Sequence, residues 1–296
     1  MKKSVLVSLV SGIVLTSAIV LTWLNKPMAA ESNLEILAAN VKNGAYLARM
    51  AGCIACHTDP DSEGGPLAGG PILESDFGSF AAPNITQDVE HGIGNWTIEQ
   101  FDIAVRQGIS PSGEPYYPAF PYEFYSAFTD QDIADLWGAF KTVPASNRPD
   151  PKQEIPFPFN IRSGIKAWRT VFAQPVKYEY EGDKMESYNR GKFIMEGPAH
   201  CAACHTPRNF AGALQIEQSL HGSDNLPGDE FAPPIDAVSL LNIGWTQDDL
   251  AYALQTGTTP EGDALGGSMG EVIMGGTRYL SWSDLMAISE YLLTEK

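Results

Sequence analysis

The chain has 296 residues, long enough for two modest domains, with a formal net charge of −17 and a pI near 4.6. A polyanion of this kind repels phosphate backbones and anionic membrane surfaces, which argues against nucleic-acid binding and leaves basic proteins or uncharged small molecules as partners. The 28 glycines and 21 prolines favour short helices joined by long ordered loops over a sheet-dominated body.

A lysine pair and an almost unbroken apolar run from Val5 to Leu24 open the chain. A cleaved signal carries a core of roughly 7–15 apolar residues, whereas a bilayer span takes about 20. Residues 1–30 are therefore read as a signal or membrane anchor, uncleaved or processed near Ala29 and Ala30. Either form leaves Lys2 and Lys3 inside and places the rest of the chain outside the cytoplasm, anchored or exported.

The remainder of the chain reads as one domain written twice, over 38–145 and 185–296, with a linker at 146–184. The cysteines recur 148 positions apart (201 − 53), and at an offset of 147 (191 − 44) Gly44-Ala45-Tyr46-Leu47 falls on Gly191-Lys192-Phe193-Ile194. Then come CIACH at Cys53 to His57 and CAACH at Cys201 to His205, which use all four cysteines, and after them AAPNI from Ala81 and FAPPI from Phe231. Each copy predicts three helices. The middle one opens at Thr97 or Thr246 with Gln100 or Asp249 completing a capping box, and stops at Gly108 or Gly257. Its apolar face is Phe101, Ala104 and Val105, or Leu250, Ala253 and Leu254. The last helix opens at Thr129 ahead of Asp132, or Ser281 ahead of Asp284, and carries Ile133, Leu136, Trp137 and Phe140, or Leu285, Ile288, Tyr291 and Leu292. Gly44 and Gly191 in the first helix are expected to admit the aromatic residues of the last. The result is an all-α fold whose core is too thin unless something large fills it.

A porphyrin would fill it. Two thiols at i and i+3 reach its two vinyl positions while the adjacent histidine coordinates iron, so Cys53, Cys56 and His57, and Cys201, Cys204 and His205, predict two covalently attached haem c groups. Zinc would leave both histidines unexplained, and a thioredoxin-like pair would need a βαβ context that is absent. A second axial ligand is often methionine. For the second haem the candidate is Met269 in the Gly-rich stretch GGSMGEV, with Met274 as fallback and Met286 as a core residue. The position equivalent to Met269 in the first copy is Phe120, and no methionine occurs between His57 and Met185. His91, a tyrosine of the Tyr116-Tyr117 pair, Met50, or an open or water-bound iron remain the alternatives there. Trp96 and Trp245 could reach a propionate or only pack the ring edge, and Arg106 could do the same or lie on a solvated helix face. EIPFPFNIR from Glu154, followed by WRTVF, reads as a linker on the domain surface or a docking strap.

RMAGCIACHT, GGPLAGG, APNIT, GIGNWT, YYPAFPY, TDQDI, FPFNIR, NRGKFI, HCAACHTPRN and SMGEV together resemble the cytochrome c subunits of membrane-bound quinoprotein alcohol, gluconate and other sugar dehydrogenases and of related molybdenum hydroxylases. The resemblance implies two tandem class I cytochrome c-like domains, haem-binding roles for Cys53, Cys56, His57, Cys201, Cys204, His205 and Met269, and no catalytic residue. Members commonly carry three haem motifs where this chain has two, and a YPAMPY-type methionine where it has Phe120; Phe128 offers no replacement. The expected function is electron transfer from a dehydrogenase donor to an oxidase, a cytochrome or quinone, with the N-terminus in the membrane. The alternative is a haem enzyme, or a small-ligand-binding cytochrome, with an open first haem.

Overall fold

In each half of the chain the first and last helices cross at a glycine. The computed structural model describes residues 12, 14, 16–24, 37–61, 64–226 and 230–295, so the expected anchor at 1–30 falls largely outside it. Among the described residues no helix is long and apolar enough to cross a membrane. Helix α1 (Val41–Met50) leads into the single turn α2 (Cys53–Cys56), the hairpin β1 (Ile72–Ser75) and β2 (Gly78–Ala81), then α3 (Ile98–Gln107), α4 (Tyr122–Tyr125) and α5 (Asp130–Phe140). After α6 (Arg162–Phe172) a similar order returns: α7 (Glu186–Glu196), the turn α8 (Ala202–His205), the hairpin β3 (Ser223–Leu226) and β4 (Glu230–Ala232), α9 (Ala237–Asn242), α10 (Gln247–Thr256), α11 (Gly267–Gly275) and α12 (Trp282–Leu293).

Local chemistry sets the helix ends. Thr97 with Gln100, Thr129 with Asp132 and Thr246 with Asp249 each form a reciprocal capping box, and Ser281 accepts from the Asp284 amide. A cap of this kind stabilises by about 1 kcal/mol. Gly108 (φ 61°) and Gly257 (φ 78°) end α3 and α10 in the left-handed conformation that glycine adopts without strain. The carbonyl of each then accepts a returning amide, from Tyr116 at 2.8 Å and from Leu265 at 2.8 Å. The apolar faces meet in a core that includes Leu47, Phe101, Ile133 and Leu136 in the first half and Ile194, Leu250, Leu285 and Ile288 in the second. Phe101 packs between Trp137 and Phe140, with ring centroids 5.2 and 5.5 Å away.

A Cβ added at Gly44 would lie 1.9 Å from the Asp135 carbonyl oxygen, and one at Gly191 would lie 1.9 Å from that of Ala287. The glycines thus admit helix backbone first; at the flank an aromatic residue, Tyr291, follows in the second half and Ala139 in the first. Two further differences from the sequence reading are structural. The fold is largely helical, as expected, but each half adds a two-stranded antiparallel sheet that the reading lacks, with Ile72 opposite Ala81 and Ser223 opposite Ala232. Ile72 and Leu73 are both exposed, so no alternation of apolar and polar residues marked the first hairpin. The stretch at 146–184 also holds a helix. Glu154 pairs with Ser79 through hydrogen bonds of 2.8 and 3.2 Å, and Tyr117 donates to the Phe159 carbonyl at 2.8 Å. On α6, Arg169 donates to the Gln107 carbonyl at 2.7 Å while Trp168 donates to Ala211 in the second half at 2.8 Å.

The halves also join directly. Tyr46 of α1 donates to the Asp284 carboxylate at 2.7 Å, and Arg190 grips the same carboxylate with two bonds of 2.8 Å. Burial acts to raise the Asp284 pKa, but the hydrogen bonds from Arg190 and Tyr46 outweigh it and hold the group below the usual carboxylate range.

Gly191→Ala is expected to cost about 1–3 kcal/mol in denaturant unfolding, the penalty of overpacking a close contact. Gly164→Ala is the matched control. Its added Cβ meets nothing within 4 Å on α6, so it should gain about 0.5–1 kcal/mol. Because the folded pKa of Asp284 is depressed, its contribution is present above the unfolded carboxylate pKa and is lost as pH falls toward the folded value. Asp284→Asn should therefore lower stability at neutral pH and flatten the acid limb of the stability curve.

Candidate functional site

Two single turns carry the chemistry. Gly52, at φ 70°, lets the chain leave α1 and enter α2, and the His57 amide closes the turn on the Cys53 carbonyl at 3.0 Å. The His205 amide closes on Cys201 at 3.0 Å in the same way. A helical turn places residues i and i+3 on one face, so each cysteine pair stands together with the histidine beside it.

Both histidines are oriented alike. Nδ1 of His57 lies 2.7 Å from the Pro83 carbonyl, and Nδ1 of His205 lies 2.7 Å from the Pro233 carbonyl. A carbonyl only accepts, so Nδ1 carries the proton and Nε2 keeps its lone pair for a ligand. Each turn is then wrapped by the same loop. Gly69 donates to the His57 carbonyl at 3.1 Å and Gly222 to that of His205 at 2.9 Å. Thr58 accepts from the Leu67 amide at 3.1 Å, and buried Thr206 accepts from Leu220 at 3.1 Å. Leu67 and Leu220 share a left-handed backbone, φ 64° and 65°, rare for a γ-branched residue and evidence that the loop conformation is enforced by its surroundings.

The four cysteines are free thiols that retain accessible surface, yet the surrounding protein pushes Cys53 and Cys201 up to about 12. Burial lowers the pKa of both His57 and His205, which keeps the imidazoles neutral and able to ligate. Among the described residues no three His, Cys, Asp or Glu side chains gather closely enough to hold a metal ion, so the zinc site weighed from the spacing is not assembled. Two thiols on one side and one imidazole Nε2, present twice, suit a porphyrin with two vinyl groups and an iron.

Met269 lies on α11, so the Gly-rich stretch around it is helical. The segment folds because Ile273 is buried beneath it and the Ser268 amide donates to Glu230 of β4 at 3.2 Å, contacts that outweigh its poor glycine-rich propensity. Met269 is half-buried, Met274 is exposed with its sulfur accepting from Arg278 at 2.8 Å, and Met286 packs on the core. In the first half Phe120 packs between Tyr116, edge-on at 5.9 Å, and Tyr125, tilted at 5.5 Å, and Tyr125 in turn stacks on buried Phe128. Met50 is buried in α1, and Tyr117 is engaged by Phe159. His91 is half-buried in a loop where its amide donates to Asp88 at 2.8 Å. Arg106 is half-buried and pairs with Asp102 and with Asp130 at 2.8 Å, and Trp96 and Trp245 are half-buried against the core.

Two residues beside the second turn were missed in the sequence. His200 directs Nδ1 to the Pro198 carbonyl at 2.7 Å, and Arg208 donates to the Ala203 and Gly212 carbonyls at 2.8 Å each, beside Cys204. The available signal was asymmetry, since the first motif carries Gly52 and Pro60 at the matching positions.

No family model matches the chain. It is 38% identical over 274 residues to a diheme cytochrome c-type protein of Cereibacter sphaeroides, covering 91% of each. It is 39% identical over 256 residues to the fructose dehydrogenase cytochrome subunit of Gluconobacter japonicus, and 34% over 265 to the gluconate 2-dehydrogenase cytochrome c subunit of Pantoea cypripedii. Those matches take in 86% of this chain but 52% and 59% of the relatives, so the chain spans little more than half their length.

Proposed function

This chain belongs to the family of diheme c-type cytochromes and dehydrogenase cytochrome c subunits, and we propose that it carries electrons through two covalently attached haem c groups. They would sit in two tandem class I cytochrome c-like domains, 38–145 and 185–296, joined by 146–184. The observation that carries the reading is the twofold recurrence of one donor set, two thiols on a helical turn beside an imidazole whose Nδ1 is spent on a proline carbonyl. Cys53 and Cys56, and Cys201 and Cys204, would form the thioethers, with Nε2 of His57 and His205 as proximal ligands. A bound haem supplies one-electron redox chemistry at its iron. The protein's part is to hold Nε2 in place, exclude water with the aromatic core and set the potential. Met269 would be the sixth ligand in the second domain, raising that potential. The donor would be a dehydrogenase, as the relatives' names suggest, and the acceptor an oxidase, a cytochrome or quinone on the periplasmic side, with residues 1–30 as signal or anchor.

Phe120 supports a second reading for the first domain. A phenyl ring held between Tyr116 and Tyr125 cannot ligate iron, which leaves that position open to a small ligand. Carbon monoxide added to the reduced protein is expected to bind at one haem per chain. Indifference to it would demand a sixth ligand, and His91→Ala would then test the histidine by loss of the low-spin ferric spectrum. In the second domain Met269→Ala is expected to abolish the methionine–iron charge-transfer band and lower one midpoint potential. Persistence of the band would transfer the role to Met274, which would first have to leave Arg278.

A further inference from the structure

His200 is an imidazole that neither donor set uses, and it lies between them. Its ring meets Tyr125 edge-on, with centroids 5.7 Å apart at 84°, and lies 6.1 Å from Phe124. The Tyr125 hydroxyl donates to the Ala51 carbonyl at 2.6 Å. A contact chain therefore runs from the residue before Cys201 to the residue before Gly52 and Cys53. Gly52 itself faces the same imidazole, since a Cβ built there would lie 3.5 Å from Cε1 of His200. Other contacts close the seam around it. Gly197 approaches Ala127 (3.1 Å from an added Cβ), and Gly275 of α11 approaches Ala55 inside the first cysteine turn (2.5 Å). The Arg49 guanidinium donates to the Gly275 carbonyl at 3.4 Å. His200 holds φ 40°, an uncommon conformation for a residue with a side chain, kept by the Pro198 hydrogen bond and the aromatic contact.

Resting on the proposed function, we infer that His200 is a positioning residue: it wedges the two cysteine turns together so that one electron passes directly between the two haems of a single chain. The step is balanced by itself. With haem held by both cysteine turns, one iron would give up the electron that the other takes, and no bond or proton would move. Transfer through protein weakens steeply with separation, so the side chain that fixes the approach of the two turns governs the rate. The glycines at positions 52 and 275 serve the same end by keeping side chains out of the gap.

The test uses the full haem-loaded chain and two variants. His200→Asn tolerates the positive φ but removes the ring, whereas His200→Phe keeps a ring and loses the Pro198 bond. After flash reduction of a partly oxidised sample, re-equilibration between the haems should be several-fold slower in His200→Asn and close to the parent rate in His200→Phe. Haem content and both midpoint potentials should stay unchanged. A readout independent of redox accompanies it: amide exchange across Gly52 to His57 should quicken in His200→Asn alone. An unchanged rate in His200→Asn overturns the inference, as does equal slowing in both variants in step with lost thermal stability. If His200→Asn does not accumulate, Tyr125→Phe removes only the tie to Ala51 and should likewise slow re-equilibration between the haems; an unchanged rate there also overturns it. Absence of haem from the parent chain would instead overturn the proposed function, and this inference with it.

Discussion

Each half of the molecule is organised around one hydrogen bond, from Nδ1 of a histidine to a proline carbonyl 26 residues on in the first half and 28 in the second, both 2.7 Å long. To deliver that carbonyl the chain must leave the cysteine turn, double back and return beside it. The hairpins, the left-handed leucines at 67 and 220 and the threonines that accept their amides all lie on this return path. The bond fixes the tautomer and aims Nε2 at one point. A ligating histidine gains both basicity and rigidity from such a partner, so the loop belongs to the site as much as the motif does.

The backbone repeats while the side chains around it diverge. Phe120 stands where the second half offers Met269, and half-buried Arg208 beside Cys204 is matched by Pro60 in the first half. A cation held near one iron favours its reduced state, as does a thioether ligand. With haem bound as proposed, two sites built on one frame would differ in potential and in access. The seam between the halves is built to match: backbone meets backbone at glycines, and Asp284 is shared by Tyr46 and Arg190 from opposite sides.

Features governed by neighbours in sequence were legible from it. Capping boxes at Thr97, Thr129 and Thr246, the stops at Gly108 and Gly257 and the cysteine spacing all act within a turn or two of chain. What escaped depended on distant contacts. The hairpin at 72–81 is exposed on its first strand and shows no period of two; α11 folds because Ile273 finds a buried site despite five glycines in Gly266 to Gly276; and α6 is held by Arg169, Lys166 and Trp168 reaching three separate segments. His200 was invisible for the same reason, since its partners Tyr125 and Phe124 lie some 75 positions away (200 − 125) in the other half.

Intact-mass measurement of the chain, made in cells that attach haem to cysteine, bears most directly on the reading. Two haem increments are predicted, one lost on replacing Cys53 and Cys56 by serine and the other on replacing Cys201 and Cys204. A polypeptide of unmodified mass, or one whose pigment leaves in acidified acetone, would contradict it.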